Sequence, residues 1–196
     1  RQLSKGLIMS IGGINTDLKE HMQTANQISA AANGAKVTIV YNATHSPWVD
    51  VPECVAARMG YQMPPVQHLK NCWNEFIATR GPDEKIFIRC HSNGAQYVKQ
   101  ALESSPKSVR ERIIVLAIAP AVIIPKSLCF DSFNYVSRRD FVTHLDINGK
   151  IMYGKELHIL EPHVEANRFD HSSLSPTFKE IEKYHIDEYL EGCENK

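Results

Sequence analysis

The sequence predicts an α/β fold, a three-layer sandwich on a mostly parallel sheet of about six strands. Short apolar, β-branched runs alternate with segments of helical periodicity along the chain. The runs are apolar almost throughout, as strands covered on both faces must be. Glycine and proline punctuate the joints between them. With 196 residues, the chain is expected to form one domain over 1–196 with a sizeable core.

The elements follow in order. LIMSI, Leu7 to Ile11, is a strand closed by a tight turn at Gly12-Gly13. Thr16 is the expected N-cap of the next helix. Its helical spacing is Leu18, Met22, Ala25, Ile28 and Ser29, and Gly34 is its stop. KVTIVY, Lys36 to Tyr41, is the second strand. A long stretch with several prolines, 42–65, comes next. Val66, Leu69, Trp73, Phe76 and Ile77 then mark an amphipathic helix. KIFIRC is the third strand, GAQYVKQALESS a helix, RIIVLAIA the fourth strand, FNYVS the fifth and ELHILE the sixth. DINGKIMYGK, between the last two strands, shows no clear helix. The chain closes with a helix whose N-cap is Ser175 and whose first residue is Pro176.

Composition excludes several classes. Net charge is zero, from 22 basic and 22 acidic residues, and no basic block appears, so no nucleic-acid partner is expected. No apolar run approaches the roughly 18 residues of a membrane span. The longest, Ile113 to Pro125, is broken by Pro120. The chain starts at Arg1 rather than Met, so a fragment of a longer chain is expected and membrane contact through upstream sequence stays open. The five cysteines show no C-x-x-C or metal-ligand spacing and are expected to be reduced thiols of a reducing compartment.

In a parallel sheet of this kind, chemistry gathers at the carboxyl ends of the strands. After the third strand comes Cys90-His91-Ser92-Asn93-Gly94, close to the pattern G-x-S-x-G. A serine at such a sharp strand-to-helix turn is held with its hydroxyl exposed, and its neighbours must be small because strand and helix nearly touch. Gly94 and Ala95 meet that demand, and Cys90 replaces the first glycine. The next helix points its N-terminus at Ser92 and favours an oxyanion there. The alternative is a polar loop serine.

A serine hydroxyl needs a base, and the base needs an orienting group. Of nine histidines, His171 lies in the loop after the last strand, and His163 is the alternate. His158 falls inside a strand, His185 inside the last helix, and His91 is expected to point away across the turn. Asp140 follows the fifth strand, with Asp146 as the alternate acid and Asp131 too early. A metal site from His158, Glu161 and His163 together with His171 is disfavoured, because His158 and Glu161 have opposite strand parity.

The motifs CHSNG, SRRDFV, FDHSS and IGGIN together resemble the α/β-hydrolase superfamily over about Leu7 to Leu190. More loosely, IGGINTD…VTIVYNAT and FDHSS resemble uncharacterised hydrolase-like domains of chlamydial proteins. The resemblance implies a reduced α/β-hydrolase fold lacking the family's first two strands, and a triad of Ser92, Asp140 and His171. It also implies an oxyanion hole from the backbone of Asn93 and Gly13. The implied activity is that of an esterase, lipase or thioesterase acting on a small-molecule or lipid acyl substrate, with no metal or organic cofactor. The stretch 42–65, with Trp48, Met59, Tyr61 and Met63, is a candidate wall over the serine, and APAVIIP either lines an acyl pocket or packs on the core. The alternative function is a catalytically silent binding module on the same fold. A flavodoxin-like nucleotide binder fits the topology but finds no phosphate cradle, and Gly12-Gly13 is not a dinucleotide fingerprint.

Overall fold

The structure, a computed structural model, describes residues 2–13, 16–40, 64–142 and 146–194. The candidate wall at Trp48, Met59, Tyr61 and Met63 lies outside the described residues. Six strands form one sheet: β1 (Leu7–Ile11), β2 (Val37–Val40), β3 (Ile86–His91), β4 (Ile113–Ile118), β5 (Asp131–Ser137) and β6 (Leu157–Leu160). Their order is β2-β1-β3-β4-β5-β6, and every neighbouring pair is parallel.

The helices are α1 (Leu18–Ala31), α2 (Pro64–Thr79), α3 (Gly94–Glu103), α4 (Lys107–Arg110), α5 (Ile147–Tyr153) and α6 (Lys179–Glu194). Strand alternation divides the core into two layers. Met9, Ile11, Ile88, Cys90 and Val115 face Leu69, Trp73, Val98 and Ala101 of α2 and α3. Ile8, Phe87, Leu116 and Tyr135 face Ile28 of α1 and Ile186 and Tyr189 of α6. Two-sided burial explains why these strands lack polar alternation.

Three expectations change. Asp17, not Thr16, caps α1, its carboxylate accepting from the Glu20 amide at 2.7 Å. Thr16 is buried against Gly12 instead. Leu18 and Met22 are about half exposed, and the buried face of α1 is His21, Thr24, Ala25 and Ile28. That face meets a polar cluster, so hydrophobic spacing does not mark it. DINGKIMYGK does contain a short helix, α5, started by Asp146, which accepts from the Gly149 amide. Of the two readings of APAVIIP, the structure shows packing on the core: Ile123 and Ile124 are fully buried and their amides donate to Asp146 and Asn134.

The strand order sets the site. β1 leads outward to β2, and the chain then crosses back over β1 to β3. The carboxyl ends of β1 and β3 therefore diverge, and such a switch point opens a crevice. Ile11 pairs with Cys90, which brings the Gly12-Gly13 turn level with His91 and Ser92.

Candidate active site

Ser92 follows β3 with φ of 52°, in the left-handed region that a non-glycine residue enters at a cost of about 1–3 kcal/mol. Three backbone bonds hold it there. Its amide donates to Ile118 at 3.3 Å, and its carbonyl accepts from Ala95 at 3.1 Å and Ala121 at 3.0 Å. The side chain is thereby turned out of the strand and over the sheet edge.

The turn is tight on every side. A Cβ on Gly94 would lie 2.6 Å from the Gly12 carbonyl oxygen, and one on Gly13 would lie 3.0 Å from the Ser92 Cβ and 3.5 Å from the Asn93 nitrogen. Gly13 and Asn93 thus adjoin the serine from β1 and α3. Cys90 stands where glycine is usual, but its side chain faces the α2–α3 layer and is fully buried. Burial pushes its thiol up to about 12. Among the described residues, Cys72, Cys90, Cys129 and Cys193 form no disulfide, and Cys54 lies outside those residues.

His171 and Asp140 meet Ser92. The His171 Nε2 lies 2.9 Å from the Ser92 Oγ, and its Nδ1 lies 2.7 Å from the Asp140 Oδ2. A carboxylate only accepts, so Nδ1 carries the ring proton and Nε2 presents its lone pair to the serine hydroxyl. Asp140 is buried in the turn after β5, where its other oxygen accepts from the Val142 amide at 2.9 Å. The bend before His171 is fixed by buried Asp170, at φ 39°, whose carboxylate accepts from Ser175 and Thr177.

The alternates lie elsewhere. Asp146 caps α5. His163 is exposed and accepts from the Glu165 amide. His158 stacks on Tyr135, Glu161 pairs with Arg138 at 2.6 Å, and His185 bonds the Tyr135 hydroxyl at 2.8 Å.

His91 corrects the sequence reading. It does not point away: its Nε2 donates to the His171 carbonyl at 2.7 Å, and the two rings are 5.1 Å apart. Burial, with the Arg89 guanidinium beside it, pushes His91 down to about 3, so the ring is neutral. Arg89 itself is fully buried and paired with Glu182 at 3.1 Å. The available signal was a lone arginine inside an otherwise apolar strand.

The family comparison applies to this frame: the model for "Protein of unknown function (DUF687)" matches residues 8–153, which hold the turn at Ser92 and the acid turn at Asp140. The chain belongs to the DUF687 family. Among curated proteins none matches it. Solved structures resemble it in fold. A cutinase-like protein from Cryptococcus sp. is 11% identical with a TM-score of 0.51, covering 97% of this chain and 96% of that one. A Xanthomonas campestris protein assigned to the alpha/beta hydrolase superfamily is 12% identical with a TM-score of 0.52, covering 95% and 98%. An acetyl xylan esterase is 9% identical with a TM-score of 0.51, covering 95% and 98%. This DUF687 chain therefore has the α/β-hydrolase fold.

Ser92 and His171 open onto a cleft of about 320 Å³ that Gly13, Thr16 and Glu20 also line. A larger hollow, about 370 Å³, lies at the opposite end of the sheet against Phe130 and Tyr189 and holds no serine or histidine.

Proposed function

We propose that the chain is a serine hydrolase that cleaves a carboxylic ester or thioester through an acyl-enzyme, and that residues 1–196 act as one catalytic domain. The observation that carries this reading is the continuous relay Asp140–His171–Ser92, with contacts of 2.7 and 2.9 Å, at a serine held in a left-handed turn. A buried carboxylate, a neutral imidazole in the right tautomer and an accessible hydroxyl are what acyl transfer needs.

Ser92 Oγ attacks the acyl carbon while His171 Nε2 takes its proton. Asp140 holds the ring and stabilises the imidazolium. The tetrahedral oxyanion forms beside the backbone N–H groups of Gly13 and Asn93, each worth on the order of 3 kcal/mol in the transition state. His171 then gives its proton to the leaving alcohol or thiol. A water molecule, deprotonated by the same nitrogen, releases the acid and restores Ser92. None of these steps calls on a metal or organic cofactor.

The substrate we assign is a neutral ester with an apolar part, a small molecule or a lipid acyl group. Phe141 and Phe169, exposed and in edge contact at 6.1 Å, follow Asp140 and precede Asp170 directly, so two aromatic rings stand on the rim of the acid and base turns. The names of two fold relatives, a cutinase-like protein and an acetyl xylan esterase, agree with this class of reaction. The test is hydrolysis of p-nitrophenyl esters from acetate to octanoate and of an acetyl thioester. Turnover that Ser92→Ala abolishes without unfolding is the expected result. Undiminished turnover in that variant would remove Ser92 from the mechanism.

A further inference from the structure

We propose that Arg89 and His91 are positioning residues, a two-point clamp on the nucleophile strand that holds the His171 loop at its working distance from Ser92. The inference rests on the triad reading and adds how its base is placed.

Arg89 and His91 alternate along β3, so both side chains leave the sheet on the α1–α6 face. They grip alternate residues of the facing loop. His91 donates to the His171 carbonyl at 2.7 Å. Arg89 donates through Nη2 to the Ser173 carbonyl at 2.7 Å and through Nη1 to the Ser173 hydroxyl at 3.1 Å. The base loop is thus pinned at two points to the strand that ends in Ser92, and one point is the nucleophile's chain neighbour.

The clamp is braced from behind. The Arg89 Nε donates to Glu182 of α6 at 3.1 Å, and the other Glu182 oxygen accepts from Gln27 of α1 at 3.0 Å. Thr24 of α1 and Ser173 share a hydroxyl contact at 2.8 Å. A buried ion pair is a weak source of stability, since apolar residues of similar volume serve as well or better. Its use here is geometric: a planar guanidinium with fixed donors sets direction as well as distance. His91 belongs to the same design. A neutral imidazole needs one donor for the His171 carbonyl, and burial, with the guanidinium nearby, keeps the ring from charging.

Three samples decide the matter: wild type, His91→Phe and His91→Gln. Phenylalanine fills the space without a donor, and glutamine returns an N–H. The readouts are the rate of fluorophosphonate labelling at Ser92, the melting midpoint, and the NMR signal of the His171 Nδ1 proton. A small misplacement of a catalytic group costs up to about 100-fold in rate. His91→Phe is expected to slow labelling by about 10- to 100-fold and to lose the Nδ1 signal while still folded, and His91→Gln to regain most of both. Wild-type labelling and an intact signal in His91→Phe would overturn the clamp. Should that variant not fold, the double variant Arg89→Met/Glu182→Leu, which removes both charges together, decides: unchanged labelling and signal in it would overturn the proposal. An unlabelled wild type whose Nδ1 signal is lost in His91→Phe would instead strike the hydrolase reading and support the clamp.

Discussion

Gly94 is pressed against Gly12: a Cβ at position 94 would lie 2.6 Å from the Gly12 carbonyl oxygen and 2.9 Å from that of Ile11. Both obstacles are backbone, so neither can rotate aside. Gly94→Ala must therefore part the β1 turn from the Ser92 turn. Overpacking of this kind costs about 1–3 kcal/mol. We expect that loss in denaturant unfolding, with esterase activity down by at least about tenfold because Gly13 moves away from Asn93. Wild-type activity in Gly94→Ala would show that the close approach does not serve the site.

The two acids separate cleanly. Asp140 bonds His171 Nδ1 at 2.7 Å, whereas Asp146 accepts from the amides of Gly149 and Ile123. Asp140→Asn offers a neutral partner to the imidazole and can impose the wrong tautomer, so kcat should fall by about 10³–10⁴-fold. Asp146→Asn keeps one accepting oxygen but turns its NH2 toward the other amide, so it should cost about 1–3 kcal/mol of stability while leaving activity within about threefold. Steady-state kinetics on both variants checks this, and the reverse ranking would reassign the acid.

Acid should destabilise the fold through buried histidines. Burial, first of all, pushes His91 down to about 3 and His185 down to about 4. The unfolded chain binds these protons near pH 6.5. Between that value and the folded ones the unfolded state holds more protons, so stability is highest above pH 6.5 and falls as pH drops. Each group removes about 1.4 kcal/mol per pH unit through the middle of that window. Melting scans from pH 7.5 to 4.5 should show a falling midpoint, with a shallower slope in His91→Gln. An equal slope in that variant would contradict the assignment to His91.

Substrate preference should follow the aromatic rim. Phe141 and Phe169 stand exposed beside the acid and base turns. Replacing both with serine should leave acetate ester hydrolysis nearly unchanged. It should lower kcat/KM for the octanoate ester by about tenfold, the equivalent of losing roughly 1.4 kcal/mol of apolar contact. An equal effect on both esters would place the acyl chain elsewhere.

These expectations show which parts were legible before any coordinates. The strands were, because two-sided burial writes itself as near-continuous apolar runs such as RIIVLAIA and, interrupted at Arg89, KIFIRC. The meeting of Ser92, Asp140 and His171 was, because each lies in a connection that leaves the carboxyl end of a strand, Ser92 and Asp140 within three residues of it and His171 farther along its loop. The face of α1 was not: His21 and Thr24 are buried against glycine and hydroxyl neighbours, which hydrophobic spacing cannot see. The short helix α5 was hidden by Gly149 and Asn148, poor helix formers, although Asp146 three residues before Gly149 was a capping signal. The role of His91 depends on where the His171 carbonyl falls, a long-range fact set by β6, the Asp170 turn and α6 rather than by residues near position 91.

The most direct test of the relay is fluorophosphonate labelling of the folded protein, with the modified peptide located by mass spectrometry beside Ser92→Ala and His171→Ala controls. Labelling at Ser92 that disappears in both variants is the expected result. A folded protein that takes no label, or one labelled at Ser92 as fast without His171 as with it, would contradict an activated serine at this site.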